Sequence, residues 1–187
     1  VKAFAYGVGA VEVSKWLQHK MVDYLAVAFI DEGIELRENG ITSPIMVMSP
    51  GEHDAALLSK YELEPEVYSL AQLKHYLISL RMTKQKIPIH IMINTGMNRL
   101  GFDDSEIDEL IDALKTSKEV VVKSIMTHLA ASGEPREIAF TNLQHENFLK
   151  QANKIQKELQ ISPLIHILNS SGITNFPAFQ LDIVRLG

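Results

Sequence analysis

At 187 residues the chain is long enough to bury a substantial core, and a composition of 46% hydrophobic and 22% charged residues excludes wholesale disorder. A formal net charge of −5 leaves no basic stripe to neutralise phosphates, which argues against a nucleic-acid ligand. The absence of cysteine rules out disulfides and thiolate metal sites and is compatible with a reducing cytosol, and the longest apolar run, Tyr24 to Ile30, is far too short to span a bilayer.

Val1 to Tyr6 reads as the tail of a buried strand, with Gly7-Val8-Gly9 as the turn out of it, so the period of two predicts Lys2, Phe4 and Tyr6 on one face. A lysine on a buried face loses solvation unless it is paired or neutralised, and imine formation is one way to neutralise it. The plain alternative is a surface lysine whose stem lies along the protein.

Beyond this turn, strand-like and helical patterns alternate. Helices are predicted over Ala10 to Lys20, Asp31 to Asn39, Leu70 to Leu80, Asp104 to Lys115 and Glu137 to Leu159. In the fourth, Ile107, Leu110, Ile111 and Leu114 recur at helical spacing, with Asp104 or Ser105 as the N-cap. Strands are predicted at Val1 to Tyr6, Tyr24 to Phe29, Pro44 to Met48, Glu66 to Ser69, Ile87 to Asn94, Val120 to His128, Leu164 to Asn169 and Leu181 to Leu186. Two connections, Gly51 to Lys60 and Gly172 to Phe179 with its Pro177, have room for a turn or two of helix at most.

This pattern predicts an α/β fold, a single (β/α)8 TIM-type barrel over residues 1–187, with its first strand truncated and its last helix missing. An open doubly wound sheet is the structural alternative, but no Gly-x-Gly-x-x-Gly turn follows the first strand. Both ends read as cuts in a longer protein.

Function in such a barrel collects at the carboxyl ends of the strands. Tyr6, the stretch Asn94 to Arg99, His128, Asn169-Ser170 and Arg185-Leu186-Gly187 all end or follow a predicted strand. Ser170 and Gly187 fall after the last two strands, where barrels often bind phosphate, although Asn169 to Gly172 alone is also an ordinary polar turn. No pair of histidines has metal-ligand spacing, so no metal is expected.

Lys2-Ala3-Phe4-Ala5-Tyr6-Gly7, Thr95-Gly96-Met97-Asn98-Arg99-Leu100-Gly101, Thr127-His128-Leu129-Ala130, Asn169-Ser170-Ser171 and Val184-Arg185-Leu186-Gly187, in that order, resemble the barrel domain of the alanine racemases. The resemblance implies pyridoxal 5′-phosphate (PLP) as cofactor, attached to Lys2 as a Schiff base. It implies Tyr6, Ser170 and Gly187 on the phosphate, Arg185 on the pyridine nitrogen, His128 along the ring and supporting Arg185, and Asn169 beside them. Arg99 would contact the phenolic oxygen and the substrate carboxylate. Lys2, Arg99, His128 and Arg185 would form this chain's share of the catalytic set.

Three departures from the family pattern stand out. Met92 occupies the position where many members carry a carbamylated lysine that holds the arginine of the Arg99 position; Phe4 and Val8 replace a usual asparagine and histidine. Some other group, such as Asn94, or a bound anion must then orient Arg99. The resemblance further implies a cytoplasmic homodimer supplying D-alanine for peptidoglycan. The second base would be a tyrosine of a C-terminal β-domain, which no residue here matches, so the isolated chain is expected to be inactive. A non-catalytic PLP-carrying barrel is the alternative.

Overall fold

The structure, a computed structural model, describes residues 1–51 and 55–187. Its elements are α1 (Lys2–Tyr6), α2 (Ala10–His19), β1 (Leu25–Val27), α3 (Ile30–Glu38), β2 (Ile45–Val47), α4 (Ala55–Lys60), β3 (Leu63–Val67), α5 (Leu70–Thr83), β4 (Ile87–Met92), α6 (Ile107–Lys115), β5 (Val120–Met126), α7 (Ile138–Leu159), β6 (Leu164–His166) and α8 (Ser170–Asn175). The strands follow one another in the sheet in chain order. The pairs β1–β2, β2–β3 and β5–β6 are parallel, which requires a crossover between partners, and a helix supplies it each time. This is the strand–helix repeat of a TIM-type barrel, represented among the described residues by six strands rather than the eight expected.

Both of the missing strands are instructive. Residues 1–6 are not extended: Ala3, Phe4, Ala5 and Tyr6 have φ between 48° and 55°, a single left-handed turn closed by Ala5 N–H on the Val1 carbonyl (3.2 Å) and Gly7 N–H on the Phe4 carbonyl (3.1 Å). The shared face of Lys2, Phe4 and Tyr6 therefore does not exist, and Lys2 is exposed, not buried. Left-handed backbone costs roughly 1–2 kcal/mol per L-residue, so non-glycine residues persist there only where other contacts hold them. At the other end, residues 181–186 form no strand: Asp182 N–H donates to Ile165 O of β6 (3.1 Å) and Arg185 N–H to Leu168 O beyond it (3.0 Å), without a continuous ladder.

β3 starts three residues earlier than the pattern predicts. Its sequence Leu-Glu-Pro-Glu-Val contains a proline and two carboxylates, yet every residue is buried. Alternation rules read that composition as loop. The Glu64 carboxylate meets the Tyr24 hydroxyl, whose pKa burial and the nearby charge push up to about 12.

The chain divides into two compact units, the first comprising 1–66, 74–89 and 119–121 and the second 67–73, 90–118 and 122–187. In the first, Leu25, Val27, Ile45, Val47 and Leu63 supply the interior. Arg37 at the end of α3 is occupied by four carbonyls, those of Ile41, Ser43, Tyr61 and Glu62, at 2.7–2.9 Å, which rivets α3 to the approaches of β2 and β3. In the second unit α6 buries Ile107, Leu110, Ile111 and Leu114 as its periodicity predicts and packs on α7, which buries Phe148, Ala152 and Ile155. Asp103, rather than Asp104 or Ser105, caps the 3-10 turn Asp104–Glu106 that leads into α6: its N–H donates to Glu106 Oε2 at 2.9 Å in a capping box.

Candidate functional site

Within the second unit, three consecutive strand ends carry the polar groups. Leaving β4, residues 94–101 form a loop that closes on itself: Asn94 N–H donates to Phe102 O and Phe102 N–H to Met92 O, both at 2.9 Å. Asn94 is the hub. Its Oδ1 accepts from the N–H groups of Gly96 (3.1 Å) and Asn98 (3.0 Å), and its Nδ2 donates to Asn98 Oδ1 (3.0 Å) and Asp103 Oδ1 (2.7 Å). Gly101 sits at φ +120°, and a Cβ there would come within 2.6 Å of Asn94 N, so only glycine lets the loop close. Arg99 is exposed on this loop. Met92 is 4% exposed inside β4. A buried thioether supplies no anion, and Asn94 shapes the backbone that presents Arg99.

Behind this loop α7 is locked to the ends of β4 and β5 by buried Gln144. Its Nε2 donates to Thr95 Oγ1 (3.1 Å) and to the His128 carbonyl (3.2 Å), while its Oε1 accepts from Ala130 N–H (3.0 Å). Thr127 Oγ1 donates to Ile93 O (2.8 Å), so the 2.8 Å contact between the two threonines has Thr95 as donor. A polar residue on a mostly polar helix gives no sign of this role in sequence.

Beyond β6, Asn169 caps α8: Oδ1 accepts from Gly172 N–H (2.9 Å) and Ser132 Oγ (2.7 Å), and Nδ2 donates to Leu129 O (3.2 Å) and stands 3.5 Å from His128 Nε2. Ser170 and Gly187, seventeen residues apart, meet directly, with Ser170 Oγ 3.1 Å from the Gly187 N–H and 3.0 Å from its carbonyl.

Arg185 is held from one side by β5 and β6. Its Nη2 donates to the carbonyls of Thr127 (2.7 Å) and Ile167 (3.3 Å), and its Nη1 donates to His166 Nδ1. His166 is fully buried, and desolvation together with the Arg185 cation and His90 holds its pKa well below the ordinary imidazole range. His166 thus supports Arg185 directly, a partner that the resemblance, which named His128 for this role, did not include. Its sequence signal was faint: one polar residue in the run Leu-Ile-His-Ile-Leu.

In the first unit, Lys2 opens the left-handed turn that also carries the exposed Tyr6. The Glu32 carboxylate of α3 ties this turn to the carboxyl end of β1: Oε1 accepts from Ala3 N–H (2.8 Å), and Oε2 accepts from the N–H groups of Ala28 (2.6 Å) and Phe29 (3.1 Å). No group of three or more metal-ligating side chains occurs among the described residues, and no described helix is long and apolar enough to cross a membrane.

Polar side chains thus gather at the carboxyl ends of successive strands, the end at which barrel enzymes of the βα type carry their sites. The whole chain, residues 1–187, matches the family model "Alanine racemase, N-terminal domain", and the chain belongs to that family. It is 36% identical to an alanine racemase of Cutibacterium acnes over its full length and 50% of that protein. It superposes with a TM-score of 0.90 and 34% identity on an alanine racemase of Clostridium difficile 630, covering 100% of this chain and 52% of that one. An alanine racemase of Bartonella henselae with covalently bound pyridoxal phosphate gives a TM-score of 0.85 at 26% identity, again covering 100% of this chain and 53% of the other. The chain thus spans about half the length of the curated relatives it matches.

Proposed function

We propose that this chain is the cofactor-binding barrel domain of a PLP-dependent alanine racemase, which interconverts L- and D-alanine in the cytoplasm, as a homodimer, for peptidoglycan synthesis. The observation that carries the reading is the corner where Ser170 meets Gly187 two residues beyond a guanidinium held by His166 and two carbonyls. Family membership across residues 1–187 supports it.

The donor set fits the cofactor. A phosphate monoester is an acceptor, and the Ser170 hydroxyl and Gly187 N–H, which here bond Gly187 O and Ser170 Oγ, are neighbouring donors that would turn to it; Tyr6 would add its hydroxyl. A pyridine nitrogen is also an acceptor, and Arg185 has only protons to offer. Lys2, exposed on a strained turn, would hold the aldehyde carbon, and Arg99 on its exposed loop would take the substrate carboxylate. PLP, when bound, supplies the electron withdrawal that acidifies the α-hydrogen of an amino acid.

The residues' own tasks follow. Lys2 Nζ takes or returns the α-proton on one face of the amino acid. Arg185, which donates hydrogen bonds and keeps its proton, would leave the ring nitrogen of the bound cofactor unprotonated and its electron withdrawal moderate, favouring simple proton exchange over other fates of the α-carbon. Racemisation also needs a base on the opposite face. No residue of this chain matches the family tyrosine that serves there, so the 187-residue chain alone is expected to turn over negligibly.

The test is to load the whole gene product with PLP, reduce with borohydride and map the label. A label on Lys2, an imine absorption band lost in Lys2→Ala and alanine racemisation by the wild type are expected. Labelling elsewhere would remove Lys2 from the site. Labelling without racemisation would make the protein a PLP carrier.

A further inference from the structure

The contacts of Arg185 do not stop at His166. His166 Nε2 lies 3.0 Å from Ser124 Oγ, and Ser124 Oγ lies 2.7 Å from His90 Nδ1, so one side chain from each of β4, β5 and β6 forms a line ending on the guanidinium. His90, Ser124 and His166 are each 0% exposed. The register explains the reach: Met126 is the Cα partner of His166, and Ser124, two residues back on the same face, is its diagonal neighbour.

The donor inventory fixes the direction of every bond. Arginine has no acceptor, so His166 Nδ1 must present its lone pair, and a neutral imidazole then carries its proton on Nε2. That N–H donates to Ser124 Oγ. The Ser124 hydroxyl proton, sealed from water, goes to His90 Nδ1, which places the His90 proton on Nε2. A protonated His166 would point an N–H at the guanidinium, and the opposite tautomer would do the same.

We propose that Ser124 and His90 are positioning residues for Arg185: through one-way hydrogen bonds they hold His166 as the neutral Nε2–H tautomer, whose lone pair aims the guanidinium. This rests on the reading that Arg185 serves the cofactor ring. Neither residue touches substrate or cofactor in that reading, and both act through His166.

The tautomers are measured first, by 15N NMR of the histidine-labelled whole gene product without cofactor, where neither variants nor activity enter. Unprotonated Nδ1 and protonated Nε2 are expected at both His166 and His90 at neutral pH. Nδ1–H or imidazolium at His166 would overturn the proposal. Second, Ser124→Ala and His90→Leu should each weaken PLP binding about tenfold and shift its bound absorption band, whereas His90→Asn, whose Oδ1 can accept from Ser124, should return to within about twofold of wild type. Equal loss in His90→Leu and His90→Asn would reduce His90 to a packing residue and sink the idea. Borohydride labelling of Lys2 decides the cofactor reading separately, so failure of one is not mistaken for failure of the other.

Discussion

The Arg185 corner and the Lys2 turn are built on opposite principles. Arg185 is reached by a buried line of side chains from three strands and by two carbonyls, so its orientation is fixed several times over. Lys2 is exposed, and its turn owes its position chiefly to Glu32 and a few backbone bonds, with four consecutive L-residues at positive φ. A group that only donates a hydrogen bond gains from rigidity. One proposed to hold a carbon and then move a proton gains from freedom, and the Glu32 contacts, not the strained backbone itself, keep the turn in place.

Changing the two regions in parallel tests this contrast. The largest kinetic effect falls on the exposed side: Lys2→Ala in the whole protein should lower turnover on the order of 10³-fold or more. It should alter unfolding free energy by under about 0.5 kcal/mol, because the side chain is exposed. Steady-state assay and urea titration on one preparation check both halves. The largest stability effect falls on the rigid side. Arg185→Leu leaves His166 Nδ1 and the Thr127 carbonyl without their donor and should cost about 2–4 kcal/mol in the same titration. If Lys2→Ala destabilised more than Arg185→Leu, the contrast would be reversed.

Gly101→Ala tests the loop between them in character. A Cβ 2.6 Å from the Asn94 nitrogen, at φ +120°, should cost about 1–3 kcal/mol and raise KM more than it lowers kcat, because the loop presents Arg99.

Acid titration isolates the buried imidazole. The folded pKa of His166 lies below the ordinary 6.5, so the unfolded chain takes up the proton first as pH falls. The stability held by neutral His166 is complete above about pH 6.5 and drains toward the folded value at up to about 1.4 kcal/mol per pH unit. His166→Asn should flatten this slope, leaving the smaller share from His145, which burial lowers in the same direction. An unchanged slope between pH 5 and 6.5 would show that His166 is not the group responsible.

The smallest effect is also the least usual. Ala5→Gly, normally destabilising in a helix, should stabilise by about 0.5–1 kcal/mol because Ala5 sits at φ 48°. A matched loss of PLP affinity would show that strain in the turn serves Lys2; thermal unfolding and cofactor titration give the two numbers.

The sequence by itself determined the strand–helix alternation, the apolar stripe of α6, the family and the positions of the polar motifs at strand ends. All of these follow from local periodicity or from contiguous residue types, which lie open in one dimension. Tertiary structure alone decided the handedness of the Lys2 turn, since φ at an alanine leaves no mark in composition, and β3, whose proline and carboxylates contradict the rules for buried strands. It also decided that His166, Ser124 and His90 stand in line behind Arg185. His90 and His166 are lone polar residues in apolar runs and Ser124 follows a lysine, and only strand register, set by pairing residues 34 to 42 apart, turns three separate letters into one directed chain of hydrogen bonds.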